Sequence, residues 1–203
     1  MTLPKEVVLT ALRCCRDVYP HKQDYLVSRK IEGHTILAVE GTNETTDWVT
    51  NLKFLIKRDD CHRGFRNNAN RTLASLVIGY EALDPKRKLV IAGHSLGGAT
   101  ATLIADALWE AGNTNIGLVT AGSPRPGGRR LRRRIKDLEH LRFVHGDDIV
   151  AGTPPWLAGY VHTHPAIKLK DADDTRFDGV ADHNIGDYVT AAEKYYSDKR
   201  VAM

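Results

Sequence analysis

The sequence predicts an α/β fold, a mostly parallel central sheet flanked by helices, in a single domain over residues 1–203. Three observations predict it. Short apolar runs alternate with helix-length segments of 3.6-residue periodicity, the pattern of repeated strand–helix units. One run, Leu89-Val90-Ile91-Ala92, enters Gly93-His94-Ser95-Leu96-Gly97-Gly98 and leaves as Ala99-Thr100-Ala101-Thr102-Leu103-Ile104-Ala105, which reads as strand, sharp turn and helix. Finally, 203 residues with 42% hydrophobic and 27% charged content suit one domain with a sizeable core rather than a disordered chain.

The elements follow in order. Residues 4–18 place Val7, Val8, Ala11, Leu12 and Cys15 on one helical face. Residues 25–29 and 35–39 are β-like runs around Glu32-Gly33, a hairpin signal. Residues 64–83 read as a helix that ends before Pro85. Residues 88–92 form the strand into the glycine turn, and 97–110 the helix out of it, closed by Gly112. Residues 116–120 are the next strand, 129–138 a basic helix and 141–145 a further strand. Residues 161–170 read as a late strand and 183–196 as the last helix. No repeat or linker divides the chain.

Bulk properties exclude several classes. No run of about 18 apolar residues is present, so no membrane-spanning helix is expected. No secretory signal is visible in residues 1–19, and the expected location is cytoplasmic. Cys14, Cys15 and Cys61, odd in number with two adjacent, do not form a disulfide framework. The net charge is +4 and the pI about 9.0, with the basic residues concentrated in Arg129, Arg130, Arg132, Arg133 and Arg134. That run reads as a solvated helix face that could also contact an anionic membrane. No aromatic residues are interleaved with it, so no nucleic-acid partner is expected.

The glycine turn carries chemistry. A serine at the tip of a strand–turn–helix stands proud of the sheet, and the glycines two positions either side relieve the crowding there. The helix that follows points free N–H groups at the place where an oxyanion would form. This reads Ser95 as a nucleophile. A serine hydroxyl needs a base, and the base needs a carboxylate that fixes its tautomer. In folds of this kind the chain order is Ser, then Asp or Glu, then His. Asp147 and Asp148 follow the 141–145 strand, and the residues alone do not choose between them. Asp171, Asp173 and Asp174 read as a solvated turn. Among the histidines after Ser95, His183 fits the late position. His162 and His164 would share one strand face, a geometry open to a metal pair, but no third ligand is placed by spacing. The oxyanion donors would be the Leu96 N–H and the loop at Gly41-Thr42.

Seven segments in this order resemble the class 3 lipase family. They are Val39-Glu40-Gly41-Thr42; Asp47-Trp48 with Asn51-Leu52; His62-Arg63-Gly64-Phe65; Gly93 to Gly98; Gly122-Ser123-Pro124-Arg125-Pro126-Gly127; Asp148-Ile149-Val150 with Pro154-Pro155; and Asp182-His183. The resemblance covers about residues 36–184. It implies an α/β-hydrolase fold and serine-dependent hydrolysis of acyl esters through Ser95, Asp148 and His183. Thr42 and Leu96 form the oxyanion hole, and neither metal nor cofactor is needed. It selects Asp148 over Asp147, because the family aspartate is followed by one residue and then valine, ahead of a proline pair.

The chain departs from the family at Glu40, where a basic residue is usual, and in the short interval between Asp148 and His183. It also departs in the nine residues between Leu52 and His62, which are short and charged where fungal members carry a lid helix. Little or no lid is therefore expected, with a permanently accessible site. A phospholipase A1-like or galactolipid acyl hydrolase shares the same implied triad. The reading from another class is an inactive, membrane-surface binding relative led by the arginine run. Acyl length, headgroup and oligomeric state are not encoded legibly.

Overall fold

The computed structural model describes residues 3–19, 26–41, 57–58, 60–78, 86–170 and 179–201. Helix α1 (Lys5–Asp17) is followed by strands β1 (Leu26–Ile31), β2 (His34–Val39), β3 (Lys57–Arg58) and β4 (Cys61–His62). Then come α2 (Arg63–Ile78), β5 (Lys88–His94), α3 (Leu96–Glu110), β6 (Ile116–Ala121) and α4 (Arg129–Arg134). The chain closes with β7 (Glu139–His145), β8 (Ala166–Leu169) and α5 (Ile185–Val201). Six strands form one sheet in the order β1-β2-β5-β6-β7-β8. Only the β1–β2 hairpin is antiparallel; the other pairings in this sheet are parallel.

The hairpin forms because Glu32 and Gly33 both take left-handed backbone angles, φ 43° and 73°, the combination a two-residue turn requires. β2, β5 and β6 are buried on both faces, as a parallel sheet demands, so they read as continuous apolar runs. Alternation along each strand divides the core. Ile36, Ala38, Val90, Ala92, Val119, Ala121 and Phe143 face α1 and α5. Leu37, Val39, Ile91 and Leu118 face the side that packs Phe65 of α2, Leu103 and Ile104 of α3, and Leu131 and Ile135 at α4. The expected mostly parallel sheet flanked by helices is the one observed.

Three boundaries differ from the sequence expectation. The late strand begins at Ala166, not 161, because Pro165 has no N–H for the ladder. His162 and His164 therefore leave the strand and do not share a face. The basic helix stops at Arg134, not 138; Ile135 is buried and the chain turns directly into β7. His183 lies in a short 3-10 turn, Ala181–His183, ahead of α5 rather than at its start. Residues 79–83 of the expected helix over 64–83 fall outside the described residues.

The arginine helix is built into the fold at both ends. The Asp60 carboxylate accepts the Arg130 and Leu131 N–H groups at 2.7 and 3.2 Å, capping α4 from a separate segment. At the other end Arg134 donates twice to Asp106, at 2.8 and 2.6 Å. Asp106 is fully buried on α3, and Arg66 of α2 lies 3.8 Å from it. Arg134 is therefore a structural counter-ion, and Arg129, Arg130, Arg132 and Arg133 form the exposed face.

Candidate active site

Ser95 stands between β5 and α3 with φ 57° and ψ −132°, a conformation that L residues rarely adopt. The surrounding backbone enforces it. Ser95 N–H donates to the Ala121 carbonyl of β6 at 3.0 Å, and the Ser95 carbonyl accepts from Gly98 N–H at 2.9 Å. A Cβ on Gly93 would strike the Gly97 carbonyl, and one on Gly98 would lie 2.7 Å from Ser123 Cβ. The turn is thus pressed between its own helix and the loop after β6. Ser95 has no exposed surface of its own, and most of the segment between Leu52 and His62, on which the expectation of an accessible site rests, lies outside the described residues.

Asp148 and His183 reach Ser95 from the far side of β6. Ser95 Oγ donates to His183 Nε2 at 2.8 Å, and His183 Nδ1–H donates to Asp148 Oδ2 at 2.8 Å. All three residues are buried. Gly122 provides the space: its φ is 56°, and a Cβ there would lie 2.7 Å from Asp148 Oδ2 and 3.0 Å from the imidazole. The structure also separates the adjacent aspartates. Asp147 is exposed, whereas Asp148 turns inward.

Asp148 is surrounded by donors. Its Oδ1 accepts the Val150 and Ala151 N–H groups at 2.8 and 3.4 Å. Its Oδ2 accepts the Tyr188 hydroxyl at 2.6 Å as well as His183. Burial, followed by the Asp148 charge and the hydrogen bond to it, holds the Tyr188 phenol well above its ordinary value, so it remains a donor. The spacing of the motifs did not signal Tyr188. The signal available was position: five residues after His183, in the first turn of the last helix.

Two further residues hold His183. The Asp182 carboxylate accepts Asp147 N–H at 2.8 Å and lies 3.8 Å from His145 Nδ1. It fills the space left by Gly146, φ 43°, where a Cβ would collide with it. The base-bearing turn is thereby docked on the acid-bearing turn. On the other side, His94 Nε2–H donates to the His183 carbonyl at 3.0 Å. A neutral His94 then accepts the Tyr19 hydroxyl on Nδ1, at 2.6 Å. Burial, reinforced by neighbouring His183, pushes the His94 imidazolium form far out of reach. The His94 and His183 rings lie 4.6 Å apart and tilted by 32°.

The other sequence candidates are distributed as follows. Leu96 is the first residue of α3, where N–H groups have no intrahelical acceptor. Thr42 lies outside the described residues, as do Asp47, Trp48, Asn51, Leu52 and the 171–174 acidic cluster. Of the nine residues between Leu52 and His62, only 57, 58, 60 and 61 are described. His162 Nε2–H donates to the Ala151 carbonyl at 2.8 Å. His164 Nδ1 instead lies 3.3 Å from His140 Nδ1. Among the described residues, no three His, Cys, Asp or Glu are grouped to hold a metal. Cys14, Cys15 and Cys61 are buried free thiols, and burial raises all three above the ordinary thiol value.

Comparison with known proteins adds a lineage to this geometry. The family model described as Lipase (class 3) matches residues 36–158. The chain is 32% identical over 156 residues to the secreted mono- and diacylglycerol lipase 1 of Fusarium solani, covering 71% of this chain and 46% of that protein. It is 29% identical over 162 residues to a lipase of Rhizomucor miehei, covering 72% and 45%. The chain thus spans less than half the length of these two relatives. Among solved structures, the mono- and diacylglycerol lipase of Aspergillus oryzae superposes with a TM-score of 0.67 at 22% identity, over 84% of this chain and 80% of the other. At that identity the likeness is one of fold.

Proposed function

This chain belongs to the class 3 lipase family, and we propose from that premise that it hydrolyses acyl esters of lipids through Ser95, His183 and Asp148. The observation that carries the reading is the unbroken chain of contacts Ser95–His183–Asp148, with both links at 2.8 Å. In the first half-reaction the Ser95 proton passes to His183 Nε2 as Oγ attacks the ester carbonyl. Asp148 stays ionised, holds the tautomer with the proton on Nδ1, and stabilises the imidazolium. His183 then returns the proton to the departing alcohol. In the second half-reaction water, deprotonated by His183, attacks the acyl-enzyme and frees the acid.

Leu96 N–H binds the oxyanion, with Thr42 as its partner donor, each contributing about 3 kcal/mol to the transition state. The relatives named as mono- and diacylglycerol lipases support partial glycerides as the substrate class. A phospholipase A1-like specificity is the second reading, favoured by the exposed arginines of α4.

Turnover of p-nitrophenyl butyrate and covalent labelling by a fluorophosphonate test the proposal together. Ser95→Ala should lose both while melting at an unchanged temperature. Retained turnover in that variant overturns the nucleophile assignment. A parallel series of diacylglycerol and phospholipid substrates separates the two specificities.

A further inference from the structure

Four large apolar residues are strongly exposed among those described: Ile149 at 47%, Trp156 at 67%, Leu157 at 79% and Val180 at 60%. They are not scattered over the surface. All four lie on the two segments that carry Asp148 and His183. Ile149 follows the acid, and its N–H donates to the Gly179 carbonyl at 3.1 Å, beside Val180. Trp156 and Leu157 form the tip of a 3-10 turn, Trp156–Ala158, entered from Pro155 and closed by Gly159 at φ 78°.

The backbone of that tip is suited to leaving water. Pro154 and Pro155 have no N–H to satisfy. The Pro154 carbonyl accepts Arg125 Nη1 at 2.7 Å, the Pro155 carbonyl accepts Ala158 N–H at 3.0 Å, and the Trp156 carbonyl accepts Gly159 N–H at 2.8 Å. Three successive carbonyls are thus occupied internally, which lowers the cost of moving this turn out of water. An exposed tryptophan beside an exposed leucine matches the amphipathic and apolar side chains found at lipid interfaces.

Charge selects among lipid surfaces. Val161 N–H, two residues after this turn closes, donates to the Gly127 carbonyl at 2.8 Å. The helix with exposed Arg129, Arg130, Arg132 and Arg133 begins two residues after Gly127. The apolar tip and the cationic helix are therefore carried by adjacent, paired segments, and the fitting partner is both apolar and negatively charged.

We propose that the Trp156–Leu157 turn is an anchor that inserts into anionic lipid surfaces, with the α4 arginines on its flank, and so delivers the Ser95 site to membrane-held substrate. The inference rests on the acyl-hydrolase reading above, and the experiment keeps the two apart.

Vesicles of phosphatidylcholine with and without phosphatidylglycerol are the probes, a share of the lipid carrying brominated acyl chains. In the wild-type protein, brominated anionic vesicles should quench a part of the tryptophan emission that Trp156→Ser lacks. Leu157→Ser should weaken partitioning about tenfold, the loss expected on withholding one large side chain from an apolar phase. It should lower the rate on vesicle-held diacylglycerol by the same factor relative to the rate on dissolved p-nitrophenyl butyrate. Added salt should weaken binding of both proteins.

Equal binding by Leu157→Ser and wild type, or no quenching specific to Trp156, overturns the anchor. Equal affinity for neutral and anionic vesicles overturns the charge selection. If dissolved ester is not hydrolysed while anionic vesicles are still bound through Trp156, the catalytic reading fails and the anchor stands.

Discussion

Tyr188→Phe separates holding the active-site acid from performing the chemistry. The substitution removes one oxygen, leaving the ring to pack against His94 and His145, whose centroids lie 5.8 and 5.6 Å away. Asp148 Oδ2 loses the shorter of its two donors, the 2.6 Å phenol, and keeps His183 at 2.8 Å. A hydrogen bond to a buried charged group contributes about 1.5–3 kcal/mol, so folding stability should fall by about 2 kcal/mol. For a chain of this size that is a drop of roughly 4–8 °C in melting temperature.

The rate should respond much less. The carboxylate is ionised both before and during proton transfer to His183, so the phenol stabilises ground and transition states nearly alike. Calorimetric melts paired with kcat and KM on p-nitrophenyl butyrate read out the two effects. The expectation is the stability loss above with kcat within about tenfold of wild type, well short of the roughly ten-thousandfold loss that a wrong histidine tautomer produces. An unchanged melting temperature refutes the energetic argument. A thousandfold or larger fall in kcat with the fold intact would place Tyr188 in the chemistry itself.

The remaining predictions concern space, charge and pH. Gly122→Ala puts a methyl group against the Asp148–His183 contact and should lower kcat/KM about a hundredfold by displacing the pair. The same variant should lose about 1–2 kcal/mol of stability, because alanine is strained at φ 56°. Asp106→Ala removes both hydrogen bonds from Arg134 to the buried carboxylate, leaving Arg134 with the exposed Glu110 at 3.1 Å, and should cost about 2–3 kcal/mol in urea unfolding. Burial, aided by Arg142 and Arg125, lowers His162 to about 3. The unfolded histidine binds its proton near its ordinary value of about 6.5 and the folded one does not, so this group withdraws stability as pH falls from about 6.5 towards 3. His162→Gln retains a donor for Ala151 and does not titrate. It should therefore melt like wild type at about pH 7.5 and several degrees higher than wild type at about pH 4.5.

The sheet and the nucleophile turn were legible because both are written locally. β5 and β6 are unbroken apolar runs, and the glycines around Ser95 have no alternative use at that spacing. Boundaries set by distant partners were not legible. The basic run ends at Arg134 because Asp106, on another helix, holds it there. His162 and His164 leave the strand because Pro165 delays its start and because Ala151 and His140 lie within reach. Choosing Asp148 over Asp147 required a family resemblance; the structure separates the two by burial. Tyr188 escaped sequence reasoning, and Asp182 and Gly122 entered it only as members of family segments without a role, because each acts through a neighbour that only folding brings near. Position places Tyr188 five residues after His183 in the first turn of the last helix, but the contact it makes, with an aspartate forty residues before it, exists only in the folded chain.

The way His183 is held has a consequence for what keeps the catalytic groups together. His183 is located by docking. Asp182 clasps the turn at 146–147, and His94 holds the His183 carbonyl. With both clasps in place, the base is tied to the ends of β5 and β7, the two strands that lead into the nucleophile and the acid, and the sheet itself keeps the three groups in register.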